Sequence, residues 1–228
     1  MISVRDISIG YGRKVLCRDI SFTVSPGECI LLSGANGSGK STLMKTIAGL
    51  TPPLSGDIIT DTDENGILMI PSGIPKIKGF TLAEFIRTGC YRYGRKGQLP
   101  EKDITGAMER LSAAHLADRD ISTLSDGEFR KGCIAIALAG RASCLLLDEP
   151  TAFLDIENRL AVLHAIRSVS AGNGISVLFS SHDIRESLPL ADRVFSIGAD
   201  GVFRISGPGE DSKLEAVSKG LHDPSVLL

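Results

Sequence analysis

A glycine-rich segment between two apolar stretches is the feature of this sequence that most restricts its fold. Residues 34–41 read GANGSGKS, directly after the apolar run CILLS (residues 29–33) and just before LMKTIAGL (residues 43–50). An uninterrupted apolar run is typical of a strand buried on both faces of a parallel sheet, and the later segment is typical of a helix that ends near Gly49. The segment therefore predicts a strand, a tight loop and a helix, an arrangement that can surround phosphate groups.

The residue types within this loop suit phosphate binding. Gly34, Gly37 and Gly39 allow backbone conformations in which several N–H groups point at one anion. Lys40 would place a positive charge on the β- and γ-phosphates, and Ser41 would offer a hydroxyl to Mg²⁺. The N-terminus of the following helix adds a partial positive charge. A glycine-rich turn without function is the alternative, which the flanking strand and helix disfavour.

A second apolar run ends in two carboxylates. Residues 144–150 read CLLLDEP, so Asp148 stands at the end of a predicted buried strand with Glu149 beside it. Asp148 is placed to hold Mg²⁺ through water, and Glu149 is placed to polarise an attacking water. Alone, the pair could be a strand-end turn before Pro150. Behind a phosphate loop, we interpret it as part of a nucleotide site.

Composition and charge exclude several classes of protein. The chain has 228 residues, of which 43% are hydrophobic and 23% charged, as expected of one globular domain with or without an inserted subdomain. The net charge of −2 gives no general affinity for nucleic acid or acidic membranes. Arg92, Arg95 and Lys96 form a local basic run that we interpret as a solvated loop.

The cysteines and the apolar runs indicate the compartment. The five cysteines are isolated in sequence and odd in number, so neither a disulfide framework nor a cysteine metal site is expected. This pattern favours a reducing, cytosolic environment. The first residues, MISVRDISI, alternate like a strand rather than a signal peptide, and no apolar run approaches the about 18 residues of a membrane span.

The order of the predicted elements indicates an α/β fold. Two alternating segments at the start predict antiparallel strands, and later apolar strands alternate with helices, which predicts a mostly parallel sheet flanked by helices. We expect residues 1–74 and 125–228 to form the core and residues 75–124 to form an inserted helical subdomain. One helical face within that subdomain is predicted from Ile104, Met108, Leu111 and His115.

Residues 124–128 read LSDGE and open a further predicted helix. Ser125 is placed to cap this helix, and Glu128 three residues later completes a capping box. The order of the phosphate loop, LSDGE, CLLLDEP and the lone His182 after a strand resembles the ATP-binding-cassette (ABC) ATPases along essentially the whole chain. The resemblance implies a phosphate-loop NTPase core with an N-terminal antiparallel β part and an inserted helical subdomain.

The resemblance also implies that two copies of the chain share ATP. In that family the LSDGE segment covers the γ-phosphate held by the phosphate loop of a second, head-to-tail subunit. Ser125 and Gly127 would bind this phosphate through a hydroxyl and a backbone N–H, since a helix N-terminus has free N–H groups and a positive dipole end. Asp126 stands where the family more commonly has glycine, and we expect its carboxylate to point away from the phosphate. The implied signature segment consists of Leu124, Ser125, Asp126, Gly127 and Glu128.

Further roles follow from the resemblance by position. Tyr11 would stack on adenine, although a surface tyrosine in a turn is the competing interpretation. Asp155 belongs to a loop that would cross the dimer interface, and His182 would contact the γ-phosphate. Ser72 stands where the family has a glutamine that touches Mg²⁺ and links the site to the transporter.

The implied residue sets of the site are these. Catalysis is assigned to Glu149, His182 and Lys40, and Mg²⁺ binding to Ser41 and Asp148. ATP binding is assigned to Tyr11, Gly34, Ala35, Asn36, Gly37, Ser38, Gly39, Lys40, Ser41 and Thr42.

One segment indicates a type of transporter. Residues 80–97, FTLAEFIRTGCYRYGRKG, loosely resemble a segment of the ATPases of importers for iron chelates, haem and cobalamin, through Thr81, Glu84 and Gly89 and the aromatic-basic cluster after them, although Cys90 replaces the usual arginine. The leading hypothesis is the energy-coupling ATPase of such an importer. It would be an ATP-dependent homodimer on the inner face of the membrane, bound to polytopic permease subunits, with a binding protein in the complex and no nucleic acid. The alternatives are a soluble ABC ATPase without transport, such as an iron–sulfur-cluster assembly ATPase, or an exporter ATPase.

Overall fold

The computed structural model describes residues 1–60, 66–91 and 99–206. The basic run at residues 92–96 and the polar end of the chain after residue 206 lie outside this part. The strands are β1 (Ile2–Tyr11), β2 (Lys14–Val24), β3 (Cys29–Gly34), β4 (Ser55–Thr60), β5 (Ile67–Ile70), β6 (Cys144–Leu147), β7 (Ser176–Ser180), β8 (Arg193–Ile197) and β9 (Phe203–Ile205). The helices are α1 (Lys40–Ile47), α2 (Leu82–Tyr91), α3 (Glu101–Arg110), α4 (Asp126–Ala139), α5 (Ile156–Asn173) and α6 (Ile184–Ser187).

The larger sheet is mostly parallel, as the alternation of strands and helices predicts. Its strand order is β5-β6-β7-β3-β8-β9, and only β9 runs antiparallel, against β8. In the register of this sheet, Leu31 of β3 pairs with Phe179 of β7 on one side and with Val194 of β8 on the other. This order places the carboxyl ends of β6, β7 and β3 side by side, which is where parallel sheets hold ligands.

Both faces of the larger sheet are buried, because successive residues of a strand point to opposite sides. Leu31 belongs to a core shared with the helices α2, α3, α4 and α5. Its neighbours Ile30 and Leu32 belong to a second core shared with α1, β1 and β2. The uninterrupted apolar run in CILLS is thereby explained.

The smaller sheet is antiparallel and contains one strand that the sequence pattern does not reveal. Its order is β2-β1-β4, so the predicted antiparallel strands at the start of the chain are present. The third strand, SGDIIT, is exposed at five of its six positions. Gly56 and Asp57 also disfavour a strand by intrinsic propensity. An edge strand of this kind forms because β1 offers it a partner, which local sequence does not show.

The helices between β5 and α4 lie where the sequence predicts a helical segment. Both α2 and α3 pack against α4. Ile104 and Met108 of α3 are buried, but the predicted face is one turn too long. Helix α3 ends at Arg110, because Ser112 adopts a left-handed conformation with φ of 54°, and His115 beyond it is exposed. The subdomain boundaries at residues 75 and 124 stay a prediction.

Across residues 1–60, 66–91 and 99–206, no helix has both the length and the hydropathy that crossing a bilayer requires.

Candidate nucleotide-binding site

The phosphate loop lies between β3 and α1, and glycine is required at its two ends. Gly34 has φ of 151°, and a Cβ atom there would lie 2.6 Å from the Ile197 carbonyl oxygen. Gly39, directly before α1, has φ of 111°, and a Cβ atom there would lie 3.3 Å from Ile9 Cδ1. Residues with a side chain rarely adopt these backbone conformations, so the curled path of the loop depends on both glycines.

Lys40 is folded over this loop. Its side chain is buried, and its Nζ donates to the carbonyl oxygens of Gly34 at 2.8 Å and Ala35 at 3.1 Å. Burial lowers the pKa of Lys40, while the negative charges of Glu149 and Asp148 act in the opposite direction. The ammonium is therefore held inside the loop by two neutral acceptors, which a phosphate oxygen could replace.

The rest of the loop fits an anion and a divalent cation. The Ser38 hydroxyl is buried and has no hydrogen-bond partner in the part of the chain that the structure describes, so it is available to a phosphate oxygen. Asn36 is exposed on the loop. Ser41 follows Lys40 in the first turn of α1, and its hydroxyl and the Asp148 carboxylate are the oxygen ligands that Mg²⁺ prefers.

Tyr11 lies beside this loop at the end of β1. Its hydroxyl forms a hydrogen bond of 2.9 Å with the Thr42 hydroxyl in α1, and the residue is 53% exposed. The contact fixes the tyrosine next to the first turn of α1 and leaves much of its surface open. An aromatic ring in this place is suited to stack on a base.

Asp148 and Glu149 lie at the carboxyl end of β6, and Ser180 of β7 holds both. The Ser180 hydroxyl donates to Asp148 Oδ1 at 3.0 Å and accepts from the Glu149 backbone N–H at 2.9 Å. Glu149 adopts a left-handed conformation with φ of 48°, which is uncommon for a residue with a side chain. Sequence reasoning missed Ser180, although its place at the end of a predicted strand was a usable signal.

His182 contacts the second of these carboxylates. Its Nε2 lies 2.9 Å from Glu149 Oε1, and both side chains are partly exposed. The fold thus brings together two residues that the sequence separates by 33 positions. The imidazole can orient the carboxylate, and the carboxylate can accept a proton from, or orient, a water molecule in front of it.

The residue after His182 anchors this region to α5. Asp183 accepts a hydrogen bond from the Thr151 hydroxyl at 3.0 Å and forms an ion pair of 2.6 Å with Arg159 of α5. Neither Asp183 nor Arg159 was recognised from the sequence. Their contacts tie the turns after β6 and β7 to one helix.

Asp155 caps α5 within its own chain. Its carboxylate accepts from the Asn158 backbone N–H at 2.8 Å and from the Asn158 side chain at 2.9 Å, and these bonds lower its pKa. Phe153, in the same loop, is fully exposed. An exposed aromatic residue beside the capped helix leaves this loop open to a partner, and the interface role of Asp155 stays a prediction.

The capping box at the start of α4 forms as the sequence predicts. The Ser125 hydroxyl accepts from the Glu128 N–H at 3.2 Å, and Glu128 Oε2 accepts from the Ser125 N–H at 2.7 Å. The hydrogen bond from the Ser125 N–H is the largest contribution to the lowered pKa of Glu128. A Cβ atom at Gly127 would lie 2.5 Å from Asn158 Oδ1, so a larger residue there would displace the Asn158 side chain. Within the signature segment, Leu124 is buried and the Asp126 carboxylate pairs with a lysine.

Ser72 lies two residues beyond β5, next to the strand that carries Asp148. The Asp148 N–H donates to the carbonyl of Ile70, the last residue of β5. Ser72 is exposed, and its backbone carbonyl accepts a hydrogen bond from Arg130 of α4. The sequence did not reveal Arg130, because this contact spans 58 positions.

Comparisons with known proteins identify the family of the chain. The family model of ABC transporters matches residues 17–152. The zinc import ATP-binding protein ZnuC of Yersinia pestis bv. Antiqua (strain Antiqua) is 32% identical over 198 residues, which cover 86% of this chain and 76% of ZnuC. The petrobactin import ATP-binding protein FpuD of Bacillus anthracis is 27% identical over 229 residues, which cover 93% and 84% of the two chains.

A solved structure gives the same result for the fold. An ABC transporter described as metal-chelate type, in an inward-facing conformation, matches with a TM-score of 0.84 at 24% identity, over 97% of this chain and 88% of that one. The predicted α/β architecture is confirmed. The chain therefore belongs to the ABC transporter family, as one of its ATP-binding subunits.

Proposed function

We propose that the chain hydrolyses ATP with Mg²⁺ and that this hydrolysis drives a membrane importer. The observation that carries the proposal is the convergence of one buried cation, two carboxylates and one imidazole at the adjoining ends of β3, β6 and β7. These groups belong to Lys40, Asp148, Glu149 and His182. Each is a residue type that phosphoryl transfer to water uses.

The roles of the chain's own residues follow from their contacts. Lys40 would exchange the carbonyls of Gly34 and Ala35 for phosphate oxygens and stabilise their charge in the transition state. Glu149, held by its backbone bond to Ser180, would orient the attacking water and accept its proton. A bound Mg²⁺, held by Ser41 and Asp148, would neutralise further charge on the phosphates.

We further propose that two subunits share each ATP. Ser125 at the start of α4 is exposed, and its hydroxyl and the backbone N–H of Gly127 in the first turn would bind the phosphate. A γ-phosphate from a partner subunit would fit a helix N-terminus of this kind. The proposed assembly is a homodimer bound to two polytopic permease subunits at the inner face of the membrane, with a binding protein in the complex.

The proposed cargo is a metal-bearing compound, and an iron chelate, haem or cobalamin-like compound in particular. The names of ZnuC and FpuD refer to import of zinc and of petrobactin. The similarity of residues 80–97 to importers of iron chelates, haem and cobalamin supports the narrower proposal. Residues 92–97 lie outside the described part of the chain.

Purification with a membrane partner tests the transport proposal. The tagged full chain, expressed in its native cells, is expected to co-purify with a polytopic membrane protein whose presence stimulates ATP hydrolysis in liposomes. Stimulation by a binding protein loaded with ferric siderophore, haem, cobalamin or zinc then identifies the cargo. Recovery with a soluble scaffold alone, or a rate that the membrane protein leaves unchanged, would contradict transport.

Ser72→Ala is expected to lower the hydrolysis rate by less than about tenfold, which is under ~1.4 kcal/mol of activation free energy. A glutamine could reach the metal and the water directly, whereas the serine hydroxyl would act through an ordered water. The measurement is phosphate release at saturating ATP, with Glu149→Gln assayed in parallel. A loss as severe as that of Glu149→Gln would show that Ser72 holds the metal or the water itself.

A further inference from the structure

Lys76 connects the loop after β5 to the start of α4. Its Nζ lies 2.6 Å from Asp126 Oδ1 and donates to the Leu124 carbonyl at 2.7 Å. The same nitrogen lies 5.8 Å from the centre of the Phe129 ring. The Lys76 side chain is 24% exposed and that of Asp126 is 65% exposed. Three contacts around the start of α4, one to Leu124 before the helix and two to Asp126 and Phe129 within it, thus fix this ammonium.

A second contact holds the same loop against the same helix. Arg130 of α4 donates to the carbonyl of Pro71 at 3.2 Å and to that of Ser72. Residues 71–76 are therefore attached to α4 at both ends. An isolated ion pair on a surface contributes little, but one whose cation is fixed by several contacts keeps its geometry.

The place of Asp126 gives this pair a consequence for ligand binding. Asp126 is the first residue of α4 and stands between Ser125 and Gly127. A free carboxylate there would repel a phosphate approaching the helix start, since the interaction of two charges falls only with the inverse of their distance. The other acid of this turn, Glu128, is compensated by Arg119 at 3.5 Å and by its bond from the Ser125 N–H.

We propose that Lys76 is a positioning residue of the shared ATP site. It holds the Asp126 carboxylate in an ion pair and removes its repulsion of the partner's γ-phosphate, so the helix start keeps its attraction for an anion. The inference rests on the proposed function, in which Ser125 and Gly127 bind that phosphate. It also gives a reason why an acidic residue is tolerated at position 126.

A set of paired substitutions in the full chain tests this role. All chains carry Glu149→Gln, and size-exclusion chromatography with light scattering gives the ATP concentration at which half of the protein is dimeric with Mg²⁺. Lys76→Met is expected to raise this concentration about three- to tenfold, because it leaves the Asp126 charge uncompensated. With Asp126→Asn also present, Lys76→Met is expected to change it by less than about twofold.

Controls separate charge from packing. Lys76→Arg keeps the positive charge and should dimerise at the ATP concentration of the parent chain, which carries Glu149→Gln alone. Lys78→Met removes an exposed lysine two positions away and should not change that concentration. Lys76→Gln is expected to have the same effect as Lys76→Met, and it is used instead if the Lys76→Met variant fails to fold. An equal loss for Lys76→Met with and without Asp126→Asn would overturn the role of Lys76 alone. A parent chain that stays monomeric with ATP, by itself and with its permease, would overturn the shared site.

Discussion

Lys40→Ala is expected to lower the rate of ATP hydrolysis at least about a hundredfold, which corresponds to roughly 2.7 kcal/mol of lost transition-state stabilisation. Lys40 carries the buried cation of the phosphate loop, and its two acceptors in the structure are neutral carbonyls. Transfer of a phosphoryl group spreads negative charge over oxygens that this ammonium would contact. Alanine leaves that charge uncompensated, and no other lysine in the loop replaces it.

Phosphate release by the purified chain measures this effect. Lys45→Ala is the matched control, because Lys45 lies in the last turn of the same helix and should leave the rate unchanged. Circular dichroism before and after heating shows whether both variants fold. A rate near that of the unmodified chain for folded Lys40→Ala would remove the basis for this site.

Those parts of the site that depend on short sequence spacing could be predicted. The phosphate loop and the capping box of Ser125 and Glu128 each lie within eight consecutive residues, so spacing and residue type determine them locally. The buried strands CILLS and CLLLD could be predicted for a related reason: burial on both faces of a sheet requires an unbroken apolar run.

The parts of the site that depend on contacts between distant residues could not be predicted from the sequence. Ser180 holds Asp148 from 32 positions away, and Arg130 contacts the loop after β5 from 58 positions away. A serine or an arginine in a helix or at a strand end is common, and its partner is known only after the sheet order is known. In helix α3 the sequence pattern predicted too much. His115 fits the helical spacing of the apolar residues, but the helix ends before the left-handed turn at Ser112.

Glu149→Gln is expected to bind ATP normally, to hydrolyse it at least about a hundredfold more slowly, and to accumulate as an ATP-bound dimer. The substitution keeps the size of the side chain and an oxygen within reach of His182, 2.9 Å away in the unmodified chain. It removes the negative charge that would accept the proton of the attacking water. Binding is preserved because the phosphate loop and Tyr11 are unchanged.

Dimer formation follows from where the two halves of the site lie. The carboxylate stands at the end of β6, whereas Ser125 opens α4 and would serve the ATP of the partner subunit. If hydrolysis is what separates the subunits, blocking it leaves ATP bound between them, and dimers build up with a dependence on ATP concentration that ADP does not reproduce. Glu109→Gln, an exposed glutamate in α3, is the matched control and should hydrolyse ATP and stay monomeric at steady state. Rapid hydrolysis by Glu149→Gln would instead assign the base to another group, and His182, the carboxylate's own partner, would be the first candidate to substitute.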